Sequence, residues 1–227
     1  MRDFQNHLQY IIGQVRIRNN MKIKNINYVS SLGLDCASAS WIKYNKMKKC
    51  SYPFDWIVNN YSHLCDILSD DFEKFLDKKY YTPRQHDAPE GGCGHSLYND
   101  YMFRHKDVMG EDYEYLVRCV ERFRRLLSLD KSKLFIVENT NTGGIGSDVE
   151  KLNQILSEKT KNYHIIVTEA SDDIEVHEMT YDDNVHWLKY PPNRGKTRYG
   201  EPKDFFQIIP KQKIFNYFEF EIKDDIK

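Results

Sequence analysis

A three-layer α/β fold, a mostly parallel sheet flanked by helices in a single domain, is what this sequence predicts, and three observations predict it. Residues 133–138 (Lys-Leu-Phe-Ile-Val-Glu) and 163–168 (Tyr-His-Ile-Ile-Val-Thr) are short runs, apolar almost without a break, as strands covered on both faces are. A helix-forming stretch over 148–158 lies between them, and strand, helix, strand is the signature of a parallel crossover. At 227 residues the chain is long enough for one substantial core, with no internal repeat or low-complexity tract to call for a second. The domain is placed at 21–227, with a long loop at about 80–110, behind a polar, basic-leaning extension over 1–20.

Taken in order, residues 27–32 read as a buried strand and Gly33 as a turn. A helix over 36–47 then starts at Cys36, carries Ala37, Ser40, Trp41 and Tyr44 at helical spacing, and ends in Lys46-Met47-Lys48-Lys49, positive as a C-terminus prefers. In the next stretch, 50–58, Pro53 and dense aromatics exclude a helix interior, so an extended segment packed on the core is expected. Its Asp55, between two large rings, must be well hydrogen-bonded or placed for use, because a buried unpaired carboxylate is costly. Leu64, Ile67, Leu68, Phe72, Phe75 and Leu76 recur at i, i+3, i+4 and predict one amphipathic helix over 61–77. Residues 80–110, with Pro83, Pro89, Gly91, Gly92 and Gly94, show little periodicity and read as a loop. Residues 113–129 return to helix, with Arg118, Arg122, Arg124 and Arg125 off the apolar face. Strands at 185–190 and, as an edge, 218–222 flank a Pro- and Gly-rich loop at 191–202.

Bulk properties narrow the partners. Lys and Arg number 33 against 34 Asp and Glu, a formal charge of −1, so no global field favours nucleic acid or an anionic membrane, and neither is expected as a partner. The five cysteines are odd in number and scattered, without a CxxC pair, which argues against a disulfide framework or a zinc ribbon and fits a reducing compartment. No apolar run approaches the length of a membrane span and the N-terminus lacks a secretory core, so a cytoplasmic location is expected. Aromatics at 14% can fill a core or line a groove, and composition does not choose between them.

Three motifs bear on chemistry. Gly143-Gly144-Ile145-Gly146-Ser147 lies between strand and helix but lacks the Lys-Ser/Thr pair and the spacing of a phosphate loop. His86, Cys93 and His95, with Asp87 and Glu90, match no established zinc spacing. Neither a cofactor nor a metal is therefore expected. Cys36 is the stronger candidate: it follows a strand and opens a helix, where the dipole's positive end favours a thiolate. His105 is the candidate base and Asp55 or Asp107 the acid that orients it, with backbone N–H groups at Gly33 and Leu34 to receive an oxyanion. A rival base sits in Asp183-Asn184-Val185-His186, the D-x-x-H spacing of SGNH-like esterases. Set against both is a binding module, for glycan or protein, in which Cys36 is a buried structural thiol.

Ser31-Leu32-Gly33-Leu34-Asp35-Cys36, followed after a helix by Tyr52-Pro53-Phe54-Asp55-Trp56, resembles the SLGxxC and YPFDW segments of the family labelled putative papain-like cysteine peptidases. The likeness runs more loosely through Phe103-Arg104-His105, the helix end at 122–127 and the strand at 134–137, over roughly 27–190. What it implies is a Cys–His site, with Cys36 matching the family's cysteine and His105 its histidine. Lys106 here separates His105 from Asp107, where the resemblance leads one to expect an acid directly after the histidine. The implied reaction is acyl transfer or hydrolysis of an amide, ester or thioester, on an acyl, peptide or glycan substrate. A papain-like architecture would put the nucleophile on a long central helix and the histidine on an antiparallel, barrel-like sheet, whereas the downstream strands read as parallel.

Overall fold

Alternation along the strands decides which side chains face which layer, and two separate cores result. In the computed structural model, which describes residues 23–83, 92–139, 146–170, 178–190 and 217–226, the elements follow the order β1 (Ile23–Ile26), β2 (Tyr28–Ser31), α1 (Ala37–Tyr44), α2 (Tyr61–Ser69), α3 (Glu73–Leu76), β3 (Tyr81–Pro83), β4 (Cys93–His95), β5 (Asn99–Phe103), α4 (Tyr113–Ser128), β6 (Lys133–Asn139), α5 (Gly146–Lys159), β7 (Tyr163–Ala170), β8 (Glu178–Asp182), β9 (Val185–Tyr190) and β10 (Phe218–Phe220). The main sheet runs β2-β6-β7-β9-β8, parallel except for the antiparallel edge strand β8. Val29, Leu134, Ile136, Ile166 and Leu188 point to one face, where Trp41 and Ile42 of α1 and Phe218 of β10 cover them. Phe135, Val137, Ile165 and Val167 point to the other, against α2, α4 and α5. The result is the three-layered single α/β domain that the apolar strands predict.

A cluster of rings lies within the second core. Phe54, Phe72, Phe75 and Phe123 are at most 1% exposed and pack edge-on or tilted at centroid separations of 5.5–6.5 Å. Full burial of each contributes on the order of 1.5–3 kcal/mol. Tyr52, Pro53, Phe54 and Asp55 are all buried, so the aromatic segment after α1 is core and not a contact surface. At the start of β6, Lys133 is fully buried, its ammonium donating to the carbonyls of Leu129, Lys131 and Lys161 at 2.5–2.9 Å. Burial lowers its pKa to about 8. Three carbonyls satisfy three N–H groups, and one side chain thereby ties the exit of α4 to the turn before β7.

Two expectations change. The single helix over 61–77 breaks after Ser69: Asp71 and Phe72 take φ of 53° and 67°, and α3 restarts at Glu73. The left-handed kink lets Phe72 turn into the ring cluster, a packing gain that outweighs continued helix. The stretch read as a loop at 80–110 carries a three-stranded antiparallel sheet, β3-β4-β5. Strands of three to five residues interrupted by Gly and Pro have too few positions to show a period of two. β10 is an edge strand as expected, though it pairs in parallel with β1, apart from the main sheet. The extension at 1–20, the glycines Gly143 and Gly144, and the loop at 191–202 lie outside the described residues.

Candidate functional site

Cys36 is carried by a turn whose backbone conformation is costly and which hydrogen bonds from near and distant residues hold in place. β2 ends at Ser31, Leu32 N–H still donates to the Ile136 carbonyl at 3.0 Å, and the chain then leaves the sheet. Gly33 and Leu34 follow with φ of +80° and +77°. A Cβ on Gly33 would meet the Phe54 carbonyl at 3.0 Å, so both the dihedral and the space require glycine there. Leu34 has no such freedom, and its left-handed conformation costs on the order of 1–3 kcal/mol. Asn59 holds it from both sides: Leu34 N–H donates to Asn59 Oδ1 at 3.0 Å and Asn59 N–H donates to the Leu34 carbonyl at 3.1 Å. Ser31 Oγ accepts from Gly33 N–H at 3.0 Å and pairs with Ser38 Oγ at 2.6 Å, which pins α1 to the strand end. Asp35 Oδ1 accepts from Ala37 N–H at 2.7 Å, and the Cys36 carbonyl takes the first helical bond, from Ser40 N–H at 2.9 Å. Cys36 is thus the N-cap of α1, a reduced and partly exposed thiol at the positive end of a helix.

The same Asn59 links this turn to the strand that ends near His105. Val58 N–H, its neighbour, donates to the Met102 carbonyl of β5 at 2.9 Å. Two residues beyond Met102, the Arg104 guanidinium acts on Asp35, opposing the rise in carboxyl pKa that burial causes. His105 follows, exposed, its ring in no hydrogen bond or ion pair among the described residues. Partial burial, and then the Arg104 charge, lower its pKa below the ordinary value of 6.5, so the ring is neutral and able to accept a proton at neutral pH. Asp35 and Arg104 were not singled out from the sequence as site residues. An Asp immediately before a helix start is a readable signal, but an electrostatic influence across 69 positions is not.

The other expected residues go elsewhere. Asp55 is buried and pairs with Lys48, and it also accepts from Tyr52 N–H at 2.7 Å, closing its own turn. Asp107 accepts from Gly110 N–H at 3.1 Å, again within its own turn. The N–H groups of Gly33 and Leu34, expected to face an oxyanion, are both taken by side-chain oxygens that build the turn. His186 is buried on the α1 face of the sheet, its Nε2 3.1 Å from His164 Nδ1 and its ring edge-on to Phe218 at 5.3 Å. Burial, and then His164, lower its pKa to about 3. Registry puts Ser31, Ile136, Ile166 and His186 in one row across four strands, so His186 is about 14 Å from β2 at the usual strand spacing. Asp183 sits in the exposed β8–β9 turn with φ of +44°, and the D-x-x-H pair is therefore not brought to Cys36. Of the metal candidates, Cys93 is buried in β4 and His95 Nε2 bonds with the Lys74 carbonyl at 3.0 Å, while His86, Asp87 and Glu90 lie outside the described residues. Among the described residues no group of three potential ligands is close enough to hold a metal, and no helix is long and apolar enough to cross a membrane.

The sequence profile of the family described as "putative papain-like cysteine peptidase" matches residues 27–169, well over half of the chain, and the chain belongs to that family. The match begins at β2 and takes in Cys36, Asn59, Arg104 and His105. Nothing among curated proteins and nothing among solved structures matches the chain.

Proposed function

We propose, from its membership of the papain-like cysteine peptidase family, that the protein is a cysteine-dependent hydrolase in which Cys36 attacks an acyl carbon and His105 moves the proton. The observation that carries this reading is the backbone relay from Leu34 through Asn59 and Val58 to Met102, which joins the turn bearing the thiol to the strand end bearing the imidazole.

His105 takes the proton of Cys36 Sγ as the sulfur bonds to the carbonyl carbon of an amide, ester or thioester. The tetrahedral intermediate collapses as His105 returns that proton to the leaving group, and a Cys36 thioester remains. Water, deprotonated by His105, then attacks the thioester, and the sulfur leaves with the proton from the imidazolium. An amine or alcohol in place of that water would make the same chemistry an acyl transfer. The positive end of α1 favours the thiolate and the developing oxyanion. Asp107, two residues from His105, is the remaining candidate acid, whereas the Lys48 pair holds Asp55 in a structural role. The test compares Cys36→Ala with wild type on peptide, ester and thioester probes. Turnover of at least one probe that disappears in the variant supports the reading, and equal turnover ends it.

A further inference from the structure

At the N-terminal end of β2, far along the strand from the Cys36 turn, the chain leaving α1 passes α4 and the C-terminal segment. Tyr28 marks that end, its hydroxyl donating to Asp225 at 2.6 Å. Here Lys49, Cys50 and Ser51 face Tyr115 and Arg122 of α4 across a groove of about 380 Å³, with Asp224 and Ile226 at its third side. The volume falls in the range of small-molecule sites.

The charge in this groove is unbalanced. Arg122 is half-buried, and among the described residues it forms no ion pair and one side-chain hydrogen bond, to Cys119 Sγ at 4.0 Å. Lys48, also nearby, is consumed by Asp55. Among the described residues Lys49, which is exposed, has no carboxylate partner and Asp224, at the rim, has no ion pair. A partly desolvated guanidinium beside a thiol gains from any oxyanion that reaches it, because a planar fork of N–H groups binds two oxygens at once. Ser51 adds a hydroxyl, bonded to that of Tyr115 in the same lining, and Cys50 lies on the wall with the Tyr52 hydroxyl bonded to its sulfur.

We propose that this groove binds a phosphate-bearing small molecule, with Arg122 on two phosphate oxygens and Lys49 and Ser51 on the others. Arg122 and Lys49 outweigh the one carboxylate of Asp224, and in that net positive field a phosphate dianion gains more than a singly charged carboxylate, because attraction and repulsion both scale with the ligand's charge. The site is independent of the Cys36 chemistry and stands whether or not the protein is a hydrolase.

Inorganic phosphate titrated into isotope-labelled protein, with acetate as the carboxylate arm, tests it by NMR. Saturable shifts centred on Arg122 and Ser51 are expected, with phosphate bound more tightly than acetate and alkylation of Cys50 slowed as the groove fills. Arg122→Gln should weaken phosphate binding at least about tenfold, the loss of one charge-assisted pair. Lys49→Gln should weaken it by a smaller factor. Shifts that stay linear in phosphate, acetate binding as tight as phosphate, or equal affinity in Arg122→Gln would each overturn the assignment. Should Arg122→Gln lose its circular dichroism signal, Lys49→Gln decides, since that exposed side chain holds nothing in the fold, and unchanged binding in it overturns the proposal.

Discussion

The two ends of β2 each present a half-exposed thiol near an arginine, and they are built in opposite ways. At the C-terminal end Cys36 sits on a turn with two successive left-handed residues, next to Asp35, whose carboxyl feels the Arg104 charge, and a backbone relay ties that turn to the strand that ends just before a neutral histidine. At the N-terminal end Cys50 lies on a wall with surplus positive charge, next to Arg122, and among the described residues no histidine lines its groove. A thiol alone therefore identifies neither a nucleophile nor a site. What distinguishes the two ends is the neighbour: a proton acceptor suits acyl chemistry, and an unneutralised guanidinium suits binding an anion.

The largest effect that separates the ends is on turnover. His105→Gln should lower kcat/KM on any probe that wild type turns over by more than about a thousandfold, because a nucleophile and its base act as a unit. Cys50→Ala should leave the rate within about twofold of wild type, since a difference that small is under half a kcal/mol of barrier. A variant at Cys50 as inactive as the one at His105 would erase the distinction.

Next in size is acid stability, which both ends share through the sheet between them. His164 and His186 are held neutral by burial, His186 at about 3, whereas the unfolded chain binds protons near 6.5. Their contribution is intact above pH 6.5 and drains as the pH falls toward 3, because the unfolded state then binds more protons. Denaturant midpoints measured from pH 7 to pH 4 should fall steadily, and His186→Phe should flatten that slope. An unchanged slope in this variant would remove the pair from the account.

Asn59→Ala comes third. It removes the acceptor that holds Leu34 N–H in a strained, partly buried turn, and it should cost about 2 kcal/mol by chemical denaturation. Activity should fall further than stability predicts, because the relay to Met102 loses its anchor, while the alkylation rate of Cys50 stays at the wild-type value. Gly33→Ala should cost about 1–2 kcal/mol at the same turn, from the positive φ and the approach of the Phe54 carbonyl. The smallest effect is a pH shift. Arg104 and burial both lower the His105 pKa, so the acid limb of kcat/KM should lie below pH 6.5 and move toward it in Arg104→Gln. A limb that moves down, or not at all, would separate Arg104 from His105.

Much of this was legible before any coordinate. Strands at 133–138 and 163–168, the helix between them and their parallel pairing followed from unbroken apolar runs, which only a sheet covered on both faces requires. Cys36 at a helix start was legible for the same local reason, a glycine turn after a strand. The break at Asp70–Phe72 was not, because Phe72 continues the helical period and only its burial among three other rings reveals the kink. The fate of Asp55 shows the other limit. Its position between rings said that it must be paired, while the partner, Lys48, lies seven residues away around a turn whose shape no periodicity encodes. Asn59 is one of two adjacent asparagines after an apolar run, and its grip on Leu34 exists only once residues 25 apart meet.

Site-resolved alkylation tests the central claim most directly. With all five thiols reduced, iodoacetamide labelling followed by peptide mass spectrometry reports each cysteine separately from pH 5 to pH 9. The account predicts that Cys36 reacts fastest, keeps reacting below neutral pH, and loses that acid-side reactivity in His105→Ala, while the profile of Cys50 does not change. A Cys36 that labels no faster than Cys50, or whose profile is the same with and without His105, would contradict it.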